Sequence, residues 1–384
     1  MGTEIFLLIA IYFLFIFSDR VPLPGLVAVS LLWMANWWAT GRLTTATSMD
    51  IPILAILAMV PLSLYVSVDR SLSQPKFYGL ILGVAVFYAV VNATHTIRRV
   101  QFAAVALVLA SAAVAMLGLV GTDWFPGIKF FSWPQLYGHL PKLIHGIPRS
   151  LRGGFSSTGI GGTLIFLIPV LLILLWSGCS AMRIQETGDN RLLQIWWAWY
   201  RPILALVLLL TAFVLALTQS RGSFMGLGVG LLALVAWYDR HVLWAIPTIA
   251  LAVFALFKSG RGWQLTQFVL RPYSWPVQRR MEIWQRAIRM IRDFPHTGVG
   301  MGAFDTAVNT MYPSSIILAD ARVTHAHNEL LQVAVDLGIP GLVGYVALLT
   351  TFALTAWRAY HALNDRWLRA LIVGLACGML AHQV

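Results

Sequence analysis

The sequence predicts an all-α, polytopic membrane helix bundle, and its composition and aromatic residues carry this prediction. Hydrophobic residues make up 59% of the 384-residue chain and charged residues only 11%, whereas soluble domains have about 25% charged residues. The chain also has 16 tryptophans and 11 tyrosines, which favour the aromatic belts found at both membrane surfaces. These observations exclude a soluble globular fold.

Apolar runs of spanning length predict about 11–12 transmembrane helices, since one crossing needs about 20 apolar residues. We therefore treat residues 1–384 as a single polytopic membrane domain. The eleven candidate spans are 4–18, 22–40, 51–68, 77–94, 100–120, 159–178, 202–218, 222–238, 241–257, 339–357 and 368–383.

Two polar stretches, 121–158 and 258–328, interrupt the spans and are predicted to lie on the outer face. Arginines in the short loops are concentrated on the side opposite these stretches, which favours an inner N-terminus. The long loop 258–328 is itself basic, with nine of the 27 Lys and Arg residues. Together with the net charge of +12, this indicates an anionic partner such as a lipid head group or a lipid-linked diphosphate.

The cysteines carry no site chemistry in this sequence. Cys179 and Cys377 are about 200 residues apart, and no CxxC or Cys/His ligand spacing occurs. We therefore predict neither a disulfide nor a zinc site.

The basic loop contains a predicted amphipathic helix over residues 277–292. A helical projection places Arg286 and Arg289 on its polar face and Arg280 in the middle of its apolar face. An arginine on a buried face needs an anionic partner, here a protein carboxylate or a ligand phosphate. The predicted apolar face consists of Val277, Met281, Trp284, Ala287, Ile288 and Ile291.

Two further segments have a structural and a functional interpretation. Gly298, Gly300 and Gly302 form either a tight turn or a backbone cradle for a phosphate or a sugar. Arg221 separates two apolar spans, so it is either an anchor at the membrane surface or an anion clamp. Ser220, which precedes it, would place helix N-terminal amides beside the same anion.

The segment from Arg322 to Gly341 has the densest polar chemistry. The pattern predicts a helix from His327 to Leu337 that ends at Gly338, with Pro340 in the first turn of the next helix. His327 is a candidate general base because the ordinary pKa of histidine is about 6.5. The alternatives are a purely structural interfacial histidine, or Glu329 or Asp336 as the base. Both carboxylates also fit the exposed surface of a helix.

Taken together, these motifs resemble those of the bacterial O-antigen ligase and Wzy polymerase superfamily. The resemblance rests on His327-Asn328 followed by Gly338-x-x-Gly341, on Ser220-Arg221-Gly222, and on Arg280-x-x-x-Trp284. It covers about residues 150–345, with a ligase-like module at 202–345 that contains the outer loop 258–328.

The resemblance implies a GT-C-like helical bundle in the bacterial inner membrane, with its active site on the outer face. The implied reaction transfers a glycan from undecaprenyl diphosphate to an acceptor hydroxyl with inversion, without a metal or a cofactor. His327 would be the base, and Arg221 and Arg280 would hold the diphosphate. Substrate-binding roles would fall to Asn328, Arg286, Arg289, Ser220 and Gly300, and a structural role to Gly338, Pro340 and Gly341.

The partners implied are the lipid-linked donor, a glycan, lipid or protein acceptor, and membrane lipids, with no nucleic acid. Three alternatives stay open: a Wzy-type polymerase, a protein O-oligosaccharyltransferase, and a bicarbonate-type transporter. Charged residues are nearly absent within the predicted spans, which argues against the ion-coupling site of a transporter.

Overall fold

The computed structural model describes most of the chain from residue 44 onward. The described residues are 44–124, 134–140, 143, 154–177, 191–244, 274–313, 323 and 325–383, with single positions between 27 and 41 and between 247 and 258.

The described residues are mostly helical, and the protein is an all-α polytopic membrane protein. Six of these helices are long and apolar enough to cross a membrane: α2, α3, α5, α6 from Trp199 onward, α7 and α10. The helices are α1 (Asp50–Val66), α2 (Arg70–Ala93), α3 (Ile97–Gly121), α4 (Pro134–His139), α5 (Ser157–Ser177), α6 (Arg191–Thr218), α7 (Arg221–Tyr238), α8 (Ser274–Asp293), α9 (Phe304–Met311), α10 (Glu329–Ala362) and α11 (Arg366–His382).

Eight of the eleven predicted spans coincide with helices. Six of these helices, α2, α3, α5, α6, α7 and α10, are long and apolar enough to cross a membrane, which confirms the hydropathy prediction for them. The helices at the predicted spans 51–68 and 368–383, α1 and α11, have 17 residues each. The predicted spans 4–18, 22–40 and 241–257 lie wholly or largely outside the described residues. The basic loop is helical, as predicted, because α8 and α9 both fall within 258–328.

Contacts between Cα atoms divide the chain into two compact units. Among the described residues, the first unit contains 44–92 and 244–354, and the second contains 93–243 and 355–383. The first unit therefore includes α1, α2, α8, α9 and most of α10. The second includes α3 to α7 and α11.

In the first unit, the two loop helices and the start of α10 share an apolar core. Phe304, Met290 and Val335 are fully buried in it, and Ala326 is buried with them. A second cluster joins α1 to the kink of α10 through Val60 and Leu337. The connection between α8 and α9 is thereby fixed against two helices of the bundle.

In the second unit, α11 packs against α5 and α7 through small residues. A Cβ at Gly226 would lie 2.3 Å from the Ala381 carbonyl oxygen, and one at Gly378 would lie 2.3 Å from that of Phe166. Helices approach this closely only where a side chain is absent. Asp365 begins α11 by accepting the amide protons of Trp367 at 2.8 Å and Leu368 at 2.9 Å.

Candidate active site

In the first unit, His327 lies in a short loop that α8 and α10 hold from two sides. The Trp284 indole N–H on α8 donates to the Ala326 carbonyl oxygen at 3.0 Å. The Gln332 carboxamide oxygen on α10 accepts the Ala326 N–H at 2.7 Å. Because Arg280 is one helical turn from Trp284, these bonds bring the predicted base and the predicted arginine into one neighbourhood.

His327 has a left-handed backbone conformation, with φ of 52°. This conformation is uncommon for a residue other than glycine and concentrates at functional sites. The ring of His327 lies 4.2 Å from that of His325, measured between centroids, at an interplanar angle of 59°. Both histidines are exposed, so an approaching substrate can reach them.

The surroundings of His327 hold its ring in the neutral form. The pKa of His327 is lowered to about 4; partial desolvation is the largest cause, and the charges of His325, Arg280 and Arg279 contribute to the same shift. The side chain is nevertheless exposed, so water screens part of this effect. The pKa of His327 is therefore below the ordinary value of about 6.5 used in the sequence analysis, chiefly because the sequence pattern does not show the partial desolvation of the ring.

The pKa of His325 is also lowered, and the positive charge that contributes comes from α2 instead of α8. Partial desolvation is the main cause that lowers its pKa, the charge of Lys76 on α2 lowers it too, and Glu329 raises it. Positive charge from α2 and from α8 therefore converges on the two histidines. This convergence makes the loop an anion-attracting surface.

Arg280 is exposed, and its predicted position on a buried face is wrong. The face of α8 that packs inward carries Ile283, Ala287 and Met290, whereas Met281 and Ile288 from the predicted apolar face are 54% and 41% exposed. The helix turns this face toward α9 and the start of α10, where the loop core provides apolar partners. Arg280 therefore needs no buried anionic partner. Its guanidinium faces solvent near His327, where it is accessible to a ligand.

Arg286 is the buried arginine among the described side chains of α8, which argues against its predicted role in substrate binding. Its guanidinium lies 2.7 Å from the Glu282 carboxylate, and the two side chains are 7% and 14% exposed. A charge buried in this way needs its partner. Arg286 is therefore engaged by a protein carboxylate, while Arg289, three residues later, is exposed.

We expect Arg286→Met to destabilise the protein without changing its affinity for the anionic, lipid-linked donor that the sequence predicts. The substitution leaves Glu282 charged and buried, and breaking a buried pair costs about 3–5 kcal/mol. Thermal melting in detergent and donor titration measure the two effects separately. The matched control, Arg289→Met, should change the unfolding free energy by no more than about 0.5 kcal/mol because that side chain is exposed. A weaker donor affinity with unchanged melting of Arg286→Met would return Arg286 to the binding residues.

Asn328 begins α10, since its side-chain oxygen accepts the Leu331 N–H at 2.9 Å. This is the geometry of an N-cap. The helix thus starts at Glu329, two residues later than predicted, and Asn328 fixes where the chain leaves the histidine loop. Asn328 is exposed next to His327.

The glycines at 298, 300 and 302 pack against helices, which corrects the substrate-binding role predicted for Gly300. Gly300 is buried with φ of 101°, and a Cβ there would lie 2.7 Å from the Ser67 Cα atom on the connection between α1 and α2. The Ser63 hydroxyl accepts the Met301 N–H and donates to the Asp336 carbonyl oxygen, both at 2.8 Å. The backbone is closed by protein here, so it is not open to a phosphate.

The break predicted at Gly338 is present, and the connector that follows α8 crosses it. Gly338 has φ of 72° and ψ of −177° within α10. The Ile339 N–H donates to the Pro295 carbonyl oxygen at 2.7 Å, and the Val299 N–H donates to the Val335 carbonyl oxygen at 2.8 Å. Pro340 is exposed just after the break. A Cβ at Gly341, which is buried, would lie 2.2 Å from the Leu337 Cβ atom.

Arg221 and Ser220 lie in the second unit, at the start of α7. Ser220 is the N-cap, and its hydroxyl accepts the Ser223 N–H at 3.4 Å. The preceding residue, Gln219, is buried with φ of 46° and donates to the Tyr137 hydroxyl at 2.6 Å. Arg221 is half-buried as the first residue of the helix. The polar side chain of Ser220 is thus used in capping α7.

Sequence reasoning missed Lys76 and misjudged Asp336. Lys76 on α2 lies 3.2 Å from the Asp336 carboxylate, and Gln332 donates to the same carboxylate at 2.8 Å. Asp336 is 7% exposed, so it is neither the surface carboxylate nor the free base that the pattern suggested. The sequence does show a lysine at the start of an apolar span, which indicates that Lys76 has a specific partner. It could not show that the partner is Asp336, which is 260 residues away.

A family comparison matches the segment that contains Arg221, Arg280 and His327. Residues 206–346 match the O-antigen ligase family model. This segment belongs to the O-antigen ligase/Wzy superfamily. The match confirms the resemblance to this superfamily. No curated protein matches the chain.

Proposed function

We propose that this membrane enzyme of the O-antigen ligase/polymerase type transfers a glycan from undecaprenyl diphosphate to an acceptor hydroxyl. The observation that carries the proposal is His327 itself, which is exposed in a left-handed conformation beside Arg280 and within the family-matched segment. The proposed site faces the outer side of a bacterial inner membrane, where the sequence places loop 258–328. A glycan, lipid or protein supplies the hydroxyl.

The reaction we propose is a direct displacement at the anomeric carbon. The acceptor oxygen forms a bond to that carbon as the bond to the diphosphate oxygen breaks, and the diphosphate leaves with the electron pair. His327 receives the hydroxyl proton. One displacement inverts the anomeric configuration.

The cationic neighbours of His327 give the proposal an electrostatic basis. Positive side chains stabilise the negative charge that develops on a departing diphosphate, and Arg280, Arg279 and Lys76 all act on the histidine loop. A bound diphosphate also offsets the charges that lower the pKa of His327, which makes the ring a stronger base only when the donor is present. That Arg221, which belongs to the second unit, also holds the diphosphate stays a prediction from the sequence.

Product identification tests the proposal and separates it from the alternatives. Purified protein in liposomes would receive a lipid-linked glycan together with lipid A core, a second lipid-linked repeat, and a protein acceptor. Glycan on lipid A core supports the ligase, a lengthened lipid-linked chain supports the polymerase, and glycosylated protein supports the oligosaccharyltransferase. Labelled bicarbonate uptake without any transfer would overturn the proposal in favour of a transporter.

Arg280→Gln should weaken donor binding in the same assay. We expect the KM for the lipid-linked donor to rise about tenfold or more, because one charge-assisted contact contributes about 1.5–3 kcal/mol. Arg289→Gln is the matched control, since it removes an exposed arginine from the same helix. If both variants raise the KM equally, the effect reflects the net charge of α8 and Arg280 has no specific role.

A further inference from the structure

The residue before His327, Ala326, is held at both of its backbone polar atoms by side chains. Trp284 on α8 donates to the Ala326 carbonyl oxygen at 3.0 Å, and Gln332 on α10 accepts the Ala326 N–H at 2.7 Å. Ala326 itself is fully buried. The two peptide units on either side of the Ala326 Cα atom are thus each held by one side chain, which leaves the backbone before His327 little freedom to rotate.

A second layer of contacts fixes Gln332. Its carboxamide nitrogen donates to the Asp336 carboxylate at 2.8 Å, and the other carboxylate oxygen lies 3.2 Å from the Lys76 amine. The Ser63 hydroxyl donates to the Asp336 carbonyl oxygen at 2.8 Å. The carboxamide therefore has one orientation, with its oxygen toward Ala326, because its nitrogen must face the carboxylate.

We propose that Trp284 and Gln332 are positioning residues that hold His327 in its left-handed conformation beside Arg280, with Asp336 and Lys76 fixing Gln332. The left-handed conformation is unfavourable for a residue other than glycine and persists where the surroundings determine it. The two bonds to the backbone of Ala326 constrain the chain directly before His327. The proposal rests on the proposed function for its kinetic effect and on geometry alone for its effect on the ring.

The pKa of His327 distinguishes a positioning role from a merely structural one. If Trp284 and Gln332 only stabilised the fold, their replacement would leave this pKa unchanged. When the loop is released, the ring leaves its crowded, cationic surroundings, and its pKa rises toward the ordinary value of about 6.5. Histidines labelled with ¹³C report this titration by NMR. The His327 signal among the nine histidines is assigned as the one that His327→Gln removes.

Trp284→Phe is the principal variant, because it removes the indole N–H and keeps an aromatic ring. We expect the pKa of His327 to rise by at least one unit, kcat to fall about tenfold, and the donor KM to stay within twofold. Gln332→Met removes both carboxamide bonds at similar length and should have the same effects. It also keeps the test decisive if Trp284→Phe does not fold.

Trp124→Phe is the matched control, since the Trp124 indole donates to the Leu119 carbonyl oxygen at the same 3.0 Å in the second unit. It should leave the His327 titration unchanged. An unchanged His327 pKa in both Trp284→Phe and Gln332→Met would overturn the proposal, whatever their melting temperatures. If the wild-type protein shows no glycan transfer, the proposed function fails, while the titration still decides whether these residues position the ring.

Discussion

Replacing His327 should abolish glycan transfer while the protein stays folded. A general base contributes about 10²–10⁴-fold to a rate, and Asp336, one of the two carboxylates considered for the role, is engaged by Lys76 and Gln332. The best substitution is His327→Asn, because asparagine tolerates the left-handed conformation of this position. We therefore expect His327→Asn to melt as the wild type does and to have a kcat lower by at least about 10²-fold.

His325→Ala distinguishes between the two adjacent rings. The ring centroids are only 4.2 Å apart, so either ring could reach the acceptor hydroxyl. A loss of activity in the His327 variant therefore has to be compared with the activity of the His325 variant. If His325→Ala is inactive and His327→Asn retains normal turnover, the base is assigned to the wrong histidine.

The pH dependence of the wild-type enzyme provides a second test of the same base. Protonation removes the base, so the rate falls as pH falls through the pKa of His327. In the free enzyme this pKa is lowered to about 4, and kcat/KM, which reports the free enzyme, should fall only well below pH 6.5. The midpoint of kcat should be higher, because the bound diphosphate offsets the cationic neighbours. Coincident midpoints would contradict a diphosphate beside His327.

The spans could be predicted from the sequence because the bilayer imposes a length and a composition on each helix. Helix α7 illustrates this, since the predicted span 222–238 differs from Arg221–Tyr238 by one residue. The start of α2 was less visible. Its first turns carry polar residues such as Arg70 and Lys76, so the apolar run begins about two turns after the helix does.

The buried face of α8 was not predictable, because a helical projection shows periodicity and not which side meets a partner. Two overlapping stripes exist on this helix, one with Met281 and Ile288 and one with Ile283 and Met290. The second stripe is the buried one, because it packs against Phe304 and Val335, and Arg286 is buried beside it because Glu282 lies one turn earlier.

The roles of Lys76 and Asp336 come from a contact between distant parts of the chain. Local patterns do not contain that contact.

The glycine break in α10 should have the largest effect on stability, so we expect Gly338→Ala to be severely destabilised. Its φ of 72° and ψ of −177° fall in a region that is essentially restricted to glycine and costs about 1–3 kcal/mol for other residues. A Cβ would also lie 2.7 Å from the His296 carbonyl carbon and 2.9 Å from the Pro295 carbonyl oxygen. The total loss should reach at least about 3 kcal/mol, measured by thermal melting in detergent.

Gly83→Ala is the control for this substitution, because Gly83 lies within α2 with no atom within 4 Å of an added Cβ. Alanine is favoured over glycine in a helix by about 0.5–1 kcal/mol, so this variant should melt at or above the wild-type temperature.

Gly338→Ala should also affect the residues around His327. A Cβ at Gly338 pushes the connection between α8 and α9 away and breaks the bonds from Ile339 to Pro295 and from Val299 to Val335. The Ser63 hydroxyl joins Met301, in the connection between α8 and α9, to Asp336. A shift of this connection therefore also displaces Asp336 and Gln332, and with them the residues around His325 and His327. Any Gly338→Ala protein that folds should therefore also have a raised His327 pKa, and an unchanged melting temperature would contradict the tight crossing at this glycine.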